Sequence, residues 1–129
     1  MDEMVKAITQ EQILADEQAV NDVRLVGTVR AVPEARTLPS GDELVTFRLT
    51  VERPPATRGE RQRAQTVDSV PCTVWVARVR RSVLTWRPGD VVTVGGAVRC
   101  RFYQAGGATR SRVEVEVSSA RVIRRSRAS

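Results

Sequence analysis

Apolar and polar residues alternate along most of this 129-residue chain between Val23 and Ile123, and the alternation breaks where proline, glycine or charged clusters interrupt it. A period of two is the mark of a half-buried strand, since successive side chains leave opposite faces. The first run, Val23 to Arg30, sets Val23, Leu25 and Val29 against Arg24, Thr28 and Arg30, with Gly27 as a place to bend. A connection holding Pro33 and Pro39-Ser40-Gly41-Asp42 leads into the second run, Glu43 to Arg53, where Val45, Phe47, Leu49 and Val51 share one face and Thr46, Arg48 and Thr50 the other. Pro54-Pro55 ends it, because proline supplies no ladder donor. The third run, Val67 to Val76, points Val70, Cys72, Val74 and Val76 inward and Ser69, Thr73 and Trp75 outward.

The period then changes. Val79, Val83 and Trp86 are spaced as on a short helix over Ala77 to Trp86, which assigns Trp86 to the core. Arg87-Pro88-Gly89-Asp90 turns back into a fourth run, Asp90 to Tyr103, with Val92, Val94, Val98 and Cys100 inward and Arg99, Arg101 and Tyr103 outward. Phe102 takes the inward side, at a barrel end, with a stacking role as the alternative. A loop from Gln104 to Ser111 joins this to the fifth run, where Val113, Val115 and Val117 alternate with Arg112, Glu114 and Glu116. Five strands with one helix between the third and fourth is the order of an OB-fold, an all-β barrel that can present aromatics and arginines to an unpaired nucleic-acid strand. The expected organisation is an N-terminal arm over 1–22, the barrel over 23–123 and a basic tail over 124–129.

Charge sharpens that division. Residues 1–22 carry six acids against Lys6, which leaves 20 basic and 9 acidic groups over 23–129, a net of +11 against +6 for the whole chain. Such a body suits a polyanionic partner, the alternative being a solubilising surface. Twenty of the 21 basic residues are arginine, whose guanidinium both forks onto phosphate and stacks on bases. A GC-rich genome would produce the same bias. Between the second and third runs, Ala56 to Thr66 holds Arg58, Arg61 and Arg63 and no large apolar residue, so it reads as a basic loop placed to clasp a strand, or as a plain solvated turn. The arm, with Met4, Val5, Ile8, Ile13 and Leu14 among its acids, reads as partly helical, with disorder as the alternative.

Catalytic chemistry finds little support. The chain has no histidine, and two inward cysteines cannot complete a tetrahedral metal set. Cys72 and Cys100 are read as buried free thiols, a cross-strand disulfide being the minority reading. Glu114 and Glu116 share a face, but near Arg112 they read as surface ion pairs. Gly106-Gly107 lacks the downstream lysine of a phosphate loop and marks a hairpin. No enzyme activity and no cofactor are expected. No apolar run approaches membrane-spanning length and the polar start does not look like a signal peptide, so a cytoplasmic protein without membrane contact is expected.

Asn21-Asp-Val-Arg-Leu-Val-Gly-Thr-Val29, Pro33-Glu-Ala-Arg36, Pro39-Ser-Gly41 and Phe47-Arg-Leu-Thr50 resemble the opening strands of bacterial single-stranded DNA-binding proteins. Trp86-Arg-Pro-Gly89 through Arg101 is similar to the segment leading out of that family's helix, and Val113-Glu-Val-Glu-Val117 to its last strand. The resemblance implies an OB-fold that stacks bases on aromatic rings, commonly as a homotetramer, in replication, recombination or repair at the nucleoid. It places Trp75 and Tyr103 at stacking positions, while two further stacking tryptophans would fall at Pro55 and Ser69 and are not matched. The family's acidic, phenylalanine-tipped tail is also unmatched by Arg124 to Ser129, which argues against recruitment of repair proteins by that route.

The resulting expectation is a homo-oligomer, dimer or tetramer, that binds single-stranded DNA with little sequence preference. Trp75 and Tyr103 would stack bases, Arg48, Arg99 and Arg101 would meet phosphates or base faces, and Arg58, Arg61 and Arg63 would close over the strand. Two alternatives stand beside it: an OB-fold adaptor for protein contacts, and an RNA-binding OB module.

Overall fold

The computed structural model describes residues 19–55 and 65–127. Six strands and one helix follow in the order β1 (Val23–Val29), β2 (Glu34–Thr37), β3 (Glu43–Glu52), β4 (Val67–Val74), α1 (Ala77–Val83), β5 (Val91–Ala105) and β6 (Ala108–Arg124). The sheet order is β1-β5-β6-β4-β3-β2, and a further β1–β3 pairing closes it. Five strands therefore form the expected OB barrel, with the helix between the third and fourth of them. The sixth, β2, is a short addition on the edge of β3, from Glu34↔Thr46 to Thr37↔Glu43. Its four residues are all exposed and have no apolar alternation, so its sequence carries no strand signal.

Closure depends on two short contacts. β1 pairs with β5 over Val23 to Thr28 and then reaches β3 at Thr28↔Thr50 and Val29↔Leu49. Gly27 makes the crossing possible, because any side chain there would run into the Thr50 carbonyl. The other seam is parallel, Cys72↔Val115 to Val74↔Val117 between β4 and β6. Ahead of β1, the Asn21 side chain extends the ladder, its Nδ2 donating to the Val98 carbonyl at 2.7 Å and its Oδ1 accepting from the Val98 N–H at 2.8 Å. The arm before residue 19 lies outside the described residues.

The alternation read from sequence places the core correctly within the barrel. Val29, Val45, Phe47, Leu49, Cys72, Val74, Val92, Val94, Val115 and Val117 are buried together with Val79, Val83 and Trp86. The last three bring α1 over one end of the barrel, with Trp86 edge-on to Phe47 at 5.2 Å between ring centroids and 78° between planes. The turn that follows is fastened by Asp90, which is 1% exposed. Its carboxylate accepts from the backbone N–H of Arg87 at 2.9 Å, from that of Ser126 at 2.7 Å and from Arg125 Nη1 at 3.1 Å. Burial pushes this carboxyl up, but the Ser126 and Arg87 amides and the Arg125 guanidinium outweigh it and hold the group below its ordinary range. The same contacts tie the chain after β6 back onto the barrel.

Outside the barrel the alternation misleads. Val76 was expected inward, but β4 ends at Val74 and Val76 is the 47% exposed residue before the helix. Cys100 and Val98 were expected in the core and are exposed, as is Val113 opposite Cys100. Phe102, expected at the barrel end, is 73% exposed. The common cause is length. β5 and β6 pair from Val91↔Arg124 to Ala105↔Ala108, without a register shift beyond Gly96, so their far halves project past the barrel as a two-stranded ribbon whose inner side no other strand or helix among the described residues covers. The expected eight-residue loop shrinks to a two-residue turn at Gly106 and Gly107, with φ of +57° and +79°, the primed hairpin geometry that glycine adopts without strain. Both cysteines are free, so Cys72 alone is the buried thiol, and burial pushes it up to about 12.

Candidate nucleic-acid interface

The outward positions of β3, β4, β5 and β6 come together on one side of the barrel. Thr46 pairs with Thr73, Arg101 with Arg112 and Tyr103 with Arg110, and the parity of each strand sends Trp75, Arg101 and Tyr103 into a shared groove of about 490 Å³. Its floor is Leu44, Thr46, Thr73 and Glu114, of which Leu44, Thr73 and Glu114 are buried although they lie outside the hydrophobic core. Trp75, half-buried, and Tyr103, 47% exposed, stand on its sides with Phe102 at the rim. Arg36 and Arg112 line both this groove and an adjoining hollow of about 310 Å³ that reaches Arg48.

Local structure explains why Trp75 is held there. It sits between the end of β4 and α1, where its carbonyl accepts from Arg80 Nε at 3.1 Å, and Arg80 Nη1 is ion-paired with Glu43 Oε2 at 2.9 Å. The helix that caps the barrel thus also fixes the backbone of the groove's largest ring. Arg101 lies over that ring, its guanidinium carbon 5.5 Å from the centroid, within cation–π range.

The charges on this face fall into two groups. Arg99 Nε donates to Glu116 Oε2 at 2.7 Å and Arg101 Nε donates to Glu114 Oε1. The two glutamates were expected to form surface ion pairs near Arg112, their neighbour on β6; they instead take the diagonal arginines of β5, whose side chains lean toward the barrel, and Glu114 is buried. Arg48 donates from Nη1 to Ser69 Oγ at 3.3 Å, a neutral partner. Among the described residues Arg36, Arg48, Arg110 and Arg112 have no carboxylate partner. At the mouth of the 56–64 segment, Arg53 grips Asp68 with Nε at 3.0 Å and Nη2 at 2.8 Å, and the guanidinium's hydrogen bonds hold the Asp68 carboxyl below its ordinary range.

Of the eight residues singled out from sequence, Trp75, Tyr103 and Arg101 share one groove and Arg48 its extension. Arg99 is on the same ribbon face, nearer the barrel, and lines neither hollow. Arg58, Arg61 and Arg63 lie outside the described residues. Sequence reasoning passed over Arg36, which needs the unrecognised β2, and Leu44, whose burial breaks the phase of its strand. It also passed over Arg112, which only the two-residue turn at Gly106 and Gly107 sets opposite Arg101. Among the described residues no three histidine, cysteine or acidic side chains cluster as a metal site, and no helix is long and apolar enough to cross a membrane.

This fold has a solved counterpart in a Plasmodium falciparum SSB in complex with ssDNA, which superposes with a TM-score of 0.68 at 20% identity, covering 83% of this chain and 96% of that one. No curated protein sequence matches the chain. The family described as the Single-strand binding protein family matches residues 20–123, from the chain before β1 almost to the end of β6, and with that match over an OB barrel the chain belongs to the single-strand binding protein family.

Proposed function

We propose that this family member meets single-stranded DNA along the groove between Trp75 and Tyr103 and holds it with little sequence preference, because every base offers a π-face to the rings. The observation that carries the reading is the convergence of both rings with Arg101 in one open groove whose margins bear arginines without a carboxylate partner among the described residues. Arg36, Arg48, Arg110 and Arg112 neutralise phosphates, Arg99 and Arg101 face the bases, and Arg58, Arg61 and Arg63 close over the strand. The domain is then residues 23–123, flanked by the acidic arm 1–22 and the short basic segment 124–129. Its role is binding without catalysis, in replication, recombination or repair, at the nucleoid in the cytoplasm.

A titration of the full chain with dT and rU oligomers at two salt concentrations tests this. The expected result is quenched tryptophan emission with dT and a log–log salt slope of about −3, from four phosphates at about −0.7 each. No quenching and no binding at low salt overturns it. Equal or tighter binding of rU shifts the assignment to RNA.

The working form is a homo-oligomer. The projecting ribbon presents Val98, Cys100 and Val113 to solvent on the face opposite Arg99 and Arg101, beside a hollow of about 450 Å³ lined by Leu25, Val51, Val70 and Pro71. A lone two-stranded ribbon is marginal in water without a partner for its apolar face. A second copy is the fitting occupant, since among the described residues no arginine lines this hollow and a twofold interface sets like against like without opposing the cationic surfaces. Raising protein concentration should therefore slow alkylation of Cys100, while Cys72 stays unreactive until the protein is unfolded. Val113→Glu should leave a monomer in sedimentation with Cys100 fully reactive. A wild-type monomer at every concentration would rule this interface out.

A further inference from the structure

A buried carboxylate on a surface that receives a polyanion is an anomaly, and Glu114 is one: it is 6% exposed and lies on the floor of the groove. Burying a carboxylate is costly unless it is paired and hydrogen-bonded. Here the Thr73 hydroxyl, itself only 3% exposed, donates to Oε2, and Arg101 Nε donates to Oε1. Two neighbouring strands thus hold the carboxylate, and the carboxylate in turn holds Arg101. The attachment is through Nε, at the base of the guanidinium, and the group so anchored lies over Trp75 with 5.5 Å between its carbon and the ring centroid.

We propose that Glu114 is a positioning residue that converts Arg101 from a phosphate contact into part of the stacking surface, an inference that rests on the reading of the groove as the single-stranded DNA site. Its charge locally cancelled, Arg101 releases few counterions when DNA arrives and adds little to the salt dependence. Its planar guanidinium, stacked on the indole and immobilised before binding, gives an incoming base a wider preformed platform at less ordering cost. Arg36, Arg48, Arg110 and Arg112, without carboxylates, perform the neutralisation instead. The division separates two duties that unanchored arginines would mix: contacts that weaken as salt rises and contacts that do not.

The test uses the full chain with Trp86→Phe, so that Trp75 is the sole tryptophan. Glu114→Gln keeps the shape and Thr73's acceptor and removes the charge. In the free protein this should alter Trp75 emission as Arg101 leaves the ring, with an unchanged circular dichroism spectrum. With a dT oligomer, the salt slope should steepen by about 0.7 as Arg101 turns to a phosphate. The two titration lines should cross, the variant binding more tightly at low salt and about threefold to tenfold more weakly at high salt, where the lost stack dominates. Arg101→Gln should lose affinity at every salt concentration with the slope of the parent, and Arg101→Lys, which keeps charge but not the plane, should fail to restore it. A parent that binds alongside a Glu114→Gln variant with unchanged emission and unchanged slope overturns the role of Glu114 alone. A parent that does not bind overturns the groove reading itself.

Discussion

Replacing Trp75 and Tyr103 together by alanine is expected to weaken dT binding by about 30-fold to 10⁴-fold at fixed salt, with the salt slope unchanged. Base–aromatic stacking is worth about 1–3 kcal/mol per base by alanine substitution, so two lost platforms cost about 2–6 kcal/mol if their effects add. The lower part of that range is the safer expectation, because the rings share one groove and Arg101 lies over one of them, so the sites are close enough to couple. The slope stays constant because neither substitution removes a charge. Folding is not at stake either: neither ring belongs to the core, and Trp75 is held through its backbone carbonyl by Arg80, a bond that alanine keeps. The unfolding midpoint therefore serves as the control. Titrations of the single and double variants with dT at several salt concentrations check the result, and a double variant that binds like wild type would reduce the interaction to nonspecific charge.

What could be read from the chain follows from what alternation encodes. It reports which side chains share a face, and on that account the outward setting of Trp75, Arg101 and Tyr103, the inward setting of Phe47 and Val94 and the buried helix stripe ending at Trp86 were all legible. It does not report whether a given stretch of strand has a barrel beneath it. Val94 and Cys100 have the same parity on β5, yet the first is 1% exposed and the second lies on the ribbon in solvent. The decision depends on where β1 leaves β5, at Val23↔Gly96, a fact about the partner strand. Side-chain reach was hidden for a related reason. Register sets Arg101 opposite Arg112, and only the lean of the arginines toward the barrel gives each the glutamate on its diagonal. Leu44 escaped because adjacent apolar residues, Leu44 and Val45, contradict a strict period, and the groove floor buries one of them on the wrong face for the core.

Trp86→Ala is expected to lower stability by about 3–5 kcal/mol, the usual cost of truncating a buried large aromatic. For a domain whose whole stability is about 5–15 kcal/mol, that is a large share. The ring is 2% exposed, packs edge-on to Phe47 and joins the α1 stripe of Val79 and Val83 to the barrel, so its loss opens a cavity and uncouples the helix from the sheet. Trp86→Phe should cost less, under about 2 kcal/mol, since it keeps an aromatic partner for Phe47 and also removes an indole N–H that has no protein acceptor among the described residues. Urea unfolding followed by far-UV circular dichroism, which needs no tryptophan, measures both. Because Phe47 lies on β3 between Thr46 and Arg48 on the groove side, and α1 carries the Arg80 that holds Trp75, the alanine variant should also lose DNA affinity before it unfolds globally, whereas the phenylalanine variant should bind as wild type does. Equal destabilisation by alanine and phenylalanine would mean that the buried ring and its edge contact with Phe47, which phenylalanine keeps, contribute nothing, and would refute the packing account.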